Sequence, residues 1–384
     1  MIDLAIISIY FIVVLWIGLR FGPKVKNIKE FSIGSRNFSV TVLVATLSGT
    51  LIGGGATFGV AEKTFSVGLI FLFAYCGILI ERALTATFIA DKMEPFFGLI
   101  TAGDIMEKVY GKNAKILTGI GTITTSIFIL GAHITTMGFV LESFLGIPLT
   151  ISLALSTISM LIYSGYGGIT AVSFTDVVQF AFMLVSIPLV ALISLMDIGG
   201  FEAIASSVPR SYIYINDVDG PSLWRHSIMF LSYSLPALYP IIIQRMLMAK
   251  STKQIKLSLW FNTALSLFFF AMMALIGLVA FVKNPQMDAK QAFPSLILHS
   301  LPEGIRGLVI VGLLATIMST VDSFLNLISV SFTNDVLQPL TNNRFTPKEE
   351  LKIARLVTVI IGLAGLISAL YFNGILENVF ASMN

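Results

Sequence analysis

Long apolar stretches alternate with short polar ones along the whole chain. Ten are apolar over the 17–25 or so residues that a helix needs to cross a bilayer. They are α1 (2–19), α2 (39–61), α3 (66–90), α4 (115–141), α5 (147–164), α6 (173–196), α7 (226–248), α8 (257–282), α9 (304–333) and α10 (353–372). None alternates with period two, so the pattern predicts spanning helices and not the strands of a membrane barrel.

The polar gaps carry an orientation signal. With the N-terminus outside, the inner gaps hold five basic residues in 20–36, five in 82–115, four in 245–256 and four in 344–355. That is 18 of the chain's 24 Lys and Arg. Excess Lys/Arg marks the cytoplasmic side, so we expect a multi-pass protein of the cell membrane with its N-terminus outside. The inner stretch 91–114 opens a charged amphipathic run at Thr101–Asp104 and predicts a capped interfacial helix. The outer stretch 197–225 ends in a Gly220–Pro221 turn. These boundaries divide the chain into a leading helix and inner loop (1–38), a first five-helix unit (39–196), an outer loop (197–225) and a second unit (226–384).

Composition narrows the class further. Hydrophobic residues make up 56% and charged residues 12%, the latter against about 25% in a soluble domain. Mean hydropathy is +0.90. A soluble enzyme, a disordered chain and a basic nucleic-acid binder are excluded, and no nucleic-acid partner is expected. A net charge of +3 does not call for an anionic partner. Cys76 is the lone cysteine, and His133, His226 and His299 are scattered. Neither a disulfide framework nor a Cys- or His-based metal cluster is written into the chain. Asp3 stands where a signal peptide would have basic residues, and the run after it is of spanning length.

Two spans carry residues that disfavour a continuous helix. In α2 they are Gly49, Gly53, Gly54, Gly55 and Gly59; in α7, Pro236 and Pro240. Glycines cost a helix about 1 kcal/mol each against Ala, and proline removes a hydrogen bond and clashes one turn back. Taken singly, the glycines also fit close helix packing and the prolines a kink. Taken together they lie five spans apart, each in the first helix of a five-helix unit. An odd-numbered unit repeats with inverted topology. Paired interruptions of that kind point to the binding site of a secondary transporter.

α9 adds a polar stripe. Thr316, Ser319, Thr320 and Ser323 recur at i, i+3, i+4 and i+7, one face of a helix. They read either as an interhelical hydrogen-bond seam or as oxygen ligands. Asp322 beside them is costly in a membrane unless paired or coordinated. Asp176 in α6 is a second such carboxylate, or an interfacial cap near the inner end of its helix, and no basic residue stands out as a partner for either. Oxygen ligands with negative charge suit a small hard cation, with a proton as the competing assignment. His133 reads as a packing residue before a proton relay, and Tyr163 and Tyr166 as interfacial belt residues.

The glycine-interrupted α2, GlyGlyIleThrAlaVal…ThrAspValValGln at 167–179, IleIleGlnArg at 242–245 and the MetSerThr of α9 together resemble the sodium:solute symporter family. The resemblance runs from α1 to residue 372. It implies an all-α leucine-transporter-type fold: a 5+5 inverted repeat with one leading helix. It also implies Na+ as coupling ion, no organic cofactor and no enzymatic activity. Carried over by motif, one sodium would sit between α2 and α9, on the carbonyls of Val44, Leu47 and Thr316 and the hydroxyls of Ser319 and Thr320. Some members add a second sodium at the positions of Asp176, Asp322 and Ser323. The solute would bind at the interruptions, near Thr46, Ser48, Thr50, Gly53, Gly54, Tyr233, Ser234 and Tyr239.

The chain departs from the family pattern in three places. Sugar carriers have a glutamine in α2 and a Tyr/Asn pair in α7 where Leu51, Leu235 and Tyr239 stand here. Proline carriers have an aspartate at the position of Thr46, yet share Ser48, Gly49 and Pro240. The sequence also stops at Asn384, where the resemblance implies a further helix, so the second repeat is expected to be incomplete. The expectation is a sodium-coupled importer of a small, partly apolar solute such as proline or another zwitterion. A membrane sensor module, or an inactive fragment completed by a separate polypeptide, are the alternatives.

Overall fold

The computed structural model describes residues 2–21, 25–34, 36–236, 238–342 and 344–371. Their regular elements are helical, with one isolated bridge between Phe97 and Leu99. Seven helices are long and apolar enough to cross a membrane, and Val40–Leu51 with Gly55–Val67 makes an eighth span bent by 63°.

One of the seven counts twice. Leu149–Asp197 has 49 residues, about 74 Å of helix at 1.5 Å per residue, more than two bilayer cores. Gly168 divides it at φ 54°, ψ −153°, a conformation that L side chains rarely adopt, and a Cβ there would run into Phe31. α5 and α6 are therefore separate spans meeting at Gly168. The tenth is α7, made of Gly220–Ser234 and Pro240–Leu247. The remaining spans follow in order: α1 (Ile2–Phe21), α3 within Leu69–Phe96, α4 (Lys112–Leu145), α8 (Thr252–Lys283), α9 (Ile305–Val330, continuing as a π-turn to Leu337) and α10 (Pro347–Tyr371). The end of the second unit, 372–384, where that repeat is expected to be incomplete, lies outside the described residues.

The capped helix of the inner loop is Ala102–Tyr110. Thr101 accepts from the Asp104 amide, and the Asp104 carboxylate accepts from the Thr101 amide, satisfying two donors that a helix start leaves open.

α9 is the hub. Its apolar window is 94% buried, while none of the other six long apolar helices exceeds 56%. It packs against α1, α2, α4, α5, α6 and α10, so its polar stripe faces protein all round. The leading helix is tied to its start. Asp3 accepts from the amides of Gly304 (2.7 Å) and Gly307 (2.9 Å) and from Arg306 Nε (2.7 Å). A carboxylate at a helix N-terminus meets open N–H groups and the positive end of the dipole.

Candidate ion and solute site

The first half of α2 starts at Ser39, whose hydroxyl accepts from the Val42 amide at 3.3 Å. Its last regular bond runs from Ile52 N to Ser48 O. The chain then turns at Ile52–Gly54, and the amides of Ala56 and Thr57 share the Gly53 carbonyl at 3.0 and 3.1 Å as a π-turn begins. The glycines also permit close packing: a Cβ on Gly49 would overlap the Ser319 hydroxyl, and one on Gly53 would crowd Thr320 Oγ1 and His133 Nε2. Interruption and close approach coexist in this segment. α7 breaks between Ser234 and Pro240, with Tyr239 extended and Pro240 opening the second half.

Three helices converge on Asp176, which is wholly buried. Thr46 of α2 donates to one of its oxygens and Ser319 of α9 to the other. Among the described residues no basic side chain forms an ion pair with it. Thr320 Oγ1 donates to the Gly49 carbonyl at 3.0 Å and lies 3.2 Å from the Thr316 carbonyl. Thr50 Oγ1 sits 2.8 Å from Ser323 Oγ. Arg245, 2% exposed, donates through Nη2 to Ser323 and, at 3.1 Å, to Thr50. Asn262 Nδ2 of α8 donates to Ser48 Oγ at 3.0 Å.

Ser319 donates to Asp176 and Thr320 to the Gly49 carbonyl, and Thr316 donates its own hydroxyl to the Gly312 carbonyl at 2.7 Å. Several expectations need correcting. Asp176 is neither an interfacial cap nor apart from the α2–α9 contact; it lies within it. Asp322 Oδ2 accepts from Tyr163 of α5, and its Oδ1 has no hydrogen-bond partner among the described residues. Tyr163 is therefore no belt residue but fully buried. Tyr166 is 42% exposed and lies under the Arg355 guanidinium at 4.7 Å. Arg245 belongs to the buried core, not to the inner loop.

The expected solute residues divide into two groups. The hydroxyls of Thr46, Ser48 and Thr50 are engaged with α6, α8 and α9. Gly53 and Gly54 lie at the α2 interruption, and Tyr233, Ser234 and Tyr239 at that of α7. Ser234 donates to the Phe230 carbonyl at 2.7 Å, Tyr233 stands edge-on to Tyr75, and Tyr239 is 59% exposed. Sequence reasoning missed Tyr163, Arg245 and Asn262 as partners in this core. The signal available was a polar side chain inside an apolar run, which Asn262 in α8 is.

Two interrupted helices in matching positions, packed on a hub with buried oxygens, define a leucine-transporter-type membrane carrier. The family model described as the sodium:solute symporter family matches residues 31–380. The chain belongs to the sodium:solute symporter family. It is 25% identical to a sodium/glucose cotransporter of Vibrio parahaemolyticus, over 87% of this chain and 68% of that protein. It is 24% identical to the osmoregulated proline transporter OpuE of Bacillus subtilis, over 95% and 77%. Among solved structures, a Na+-coupled sialic acid symporter in a substrate-bound outward-open state aligns with a TM-score of 0.87 at 19% identity, over 97% of this chain and 82% of that one. MhsT in complex with L-phenylalanine aligns at 0.62 and 16%, over 88% and 81%.

Proposed function

We propose that this protein imports a small organic zwitterion, proline being the first candidate, on the inward sodium gradient. The observation that carries this reading is Asp176: a wholly buried carboxylate held by hydroxyls of two other helices, with no ion-pair partner among the described residues. Oxygens of this hardness around one negative charge suit sodium. The ion would sit between Asp176, Thr46, Ser319 and Thr320, with the carbonyls of Val44, Leu47 and Thr316 as further ligands on the same helices. Bound there it would tie α2 to α6 and α9 and order the interrupted segment. Asp322, with Ser323 beside it, offers one free carboxylate oxygen for a second cation. With the N-terminus outside, sodium would enter from the outer face, and each charge moved would supply about 2.3 kcal/mol per 100 mV.

The helix ends favour a zwitterion. The first half of α2 ends at Leu51 with its negative dipole end at the break, and the second half of α7 begins at Pro240 with its positive end at the other break. One end suits an ammonium and the other a carboxylate. The test is uptake of radiolabelled L-proline by the purified chain in liposomes, under inward sodium or inward potassium gradients. Accumulation driven by sodium alone is expected. Equal accumulation under potassium would overturn sodium coupling.

A further inference from the structure

The Thr101–Asp104 cap does more than start a helix. It meets the C-terminal end of α9, where the chain runs as a π-turn over Ser331–Leu337. Asp335 of that turn is 1% exposed. Thr101 Oγ1 donates to its Oδ1 at 2.6 Å, and Asn334 Nδ2 donates to the same oxygen at 2.8 Å. Asn334 Nδ2 also reaches Asp104 Oδ1 at 2.8 Å. The other oxygen of Asp335, Oδ2, is shielded from solvent and has no hydrogen-bond partner among the described residues.

Two glycines clear the place for this carboxyl. A Cβ on Gly103 of the capped helix would come within 2.4 Å of Asp335 Cγ and 2.7 Å of its Oδ2, and one on Gly119 of α4 within 2.6 Å of its Cβ. Asp335 is therefore packed directly against both elements. What it can exchange there is a proton, which needs no cavity.

The charges around it are unbalanced. Lys115 of α4 lies 2.8 Å from Asp104 Oδ1 and 2.8 Å from Glu107 Oε2, one cation for two carboxylates before Asp335 is counted. The other charged groups on the neighbouring elements are engaged or exposed. Lys112 of α4 donates to Asn342 Oδ1 at 3.2 Å, Glu350 of α10 accepts from Gln338, and Arg355 donates to the Tyr166 carbonyl at 3.0 Å. Lys348, Glu349 and Lys352 of α10 are exposed. Burial favours the neutral form of a carboxyl, and a neighbouring carboxylate acts in the same direction. Undocking the cap would let water reach Asp335 and allow it to ionise. A proton held more tightly in the docked state than in the undocked one stabilises docking at low pH, and that stability is lost as the pH rises.

We propose that Asp335 is a proton-operated latch between the capped helix and α9. Protonated, it lets Thr101–Asp104 seat on the π-turn. Ionised, it drives them apart and frees Ala102–Tyr110, the link between α3 and α4. The latch does not depend on which solute or ion is carried.

The test is thiol labelling of the full chain in detergent, in a Cys76→Ser background. Ile105→Cys reports docking, because Ile105 is partly buried against the core. Val109→Cys is the reference, because Val109 is 54% exposed on the same helix. Dividing the maleimide rate at the first by that at the second cancels the ionisation of the thiol itself. The ratio should rise about tenfold from about pH 6 to about pH 8.5, within the tenfold per pH unit that release of one proton allows. Asp335→Asn keeps the shape and cannot ionise, so its ratio should stay low and flat. Gly103→Ala puts a methyl where the carboxyl lies, so its ratio should be high at every pH. Lys115→Gln leaves Asp104 and Glu107 uncompensated and should move the rise to higher pH if the proton is held by their charge. A flat ratio in the protein with Asp335 intact, a pH dependence that survives in Asp335→Asn, or a low ratio in Gly103→Ala would each overturn the latch. If Asp335→Asn does not fold, Lys115→Gln decides, and an unmoved midpoint overturns it.

Discussion

Thr46 and Asp176, 130 residues apart, are joined by a hydrogen bond in which the threonine hydroxyl of α2 donates to the buried carboxylate of α6. Ser319 of α9 binds the other oxygen. An interrupted helix is thus fastened to two others through a single carboxyl group. Anything that competes for that group acts on the interruption as well.

Asp176→Asn removes the charge and keeps a group that can accept from one hydroxyl. Half-saturation by sodium should rise at least tenfold, in line with the roughly 1.5–3 kcal/mol of a hydrogen bond to a charged group. The double replacement of Ser319 and Thr320 by Ala should abolish sodium-dependent uptake. An unaltered sodium titration in either variant would remove these residues from the ion site.

Gly49 and Gly55 make a matched pair of probes. A Cβ at Gly49 would overlap the Ser319 hydroxyl, while at Gly55 nothing lies within 4 Å. Gly49→Ala should cost about 1–3 kcal/mol by overpacking, read as a fall of several degrees in the unfolding temperature in detergent, and should weaken sodium binding. Gly55→Ala should be neutral or slightly stabilising. Equal unfolding temperatures for the two variants would show that α9 can move away from α2 at little cost.

Tyr163 is the hydrogen-bond donor to Asp322. Tyr163→Phe should destabilise the protein by about 1–3 kcal/mol, because it leaves a buried carboxylate with no donor. Combined with Asp322→Leu, the loss should be smaller than the sum of the single losses, with a coupling of about 0.5–3 kcal/mol. Additive losses would mean that the pair is adjacent without being energetically linked. Asp322→Asn separately reports on a second cation, through weaker half-saturation by sodium with the solute still bound at saturating sodium.

Arg245 bridges Thr50 and Ser323 with one guanidinium nitrogen. Lysine carries the charge without the planar fork. Arg245→Lys should therefore lose about 1.5–3 kcal/mol of stability and most of the uptake. Wild-type behaviour in that variant would show that charge alone is what the site requires.

Much of this protein is written locally and can be read without coordinates. Apolar length determines the ten spans, because a bilayer accepts only segments that satisfy their own backbone. Gly53–Gly55 and Pro236–Pro240 mark the two interruptions, because glycine and proline act on the backbone wherever they stand. Thr101 and Asp104 cap their helix for the same local reason. The ion core is different in kind. That Asp322 is a buried carboxylate follows from its span, whereas Asp176, near the end of its own, could equally have been an interfacial cap until packing buried it. Which hydroxyl turns to which acceptor is decided by helices that meet from far along the chain. Tyr163 is 159 residues from Asp322, and Arg245 is 78 from Ser323. Tyr163 looked like an interfacial ring and Arg245 like a loop cation, since both lie near span ends where such residues are ordinarily solvated. Only the packing of α5, α6 and α7 around α9 takes water away from them. Once dry, their polar groups must find partners inside the protein, and tertiary structure alone determines which ones are within reach.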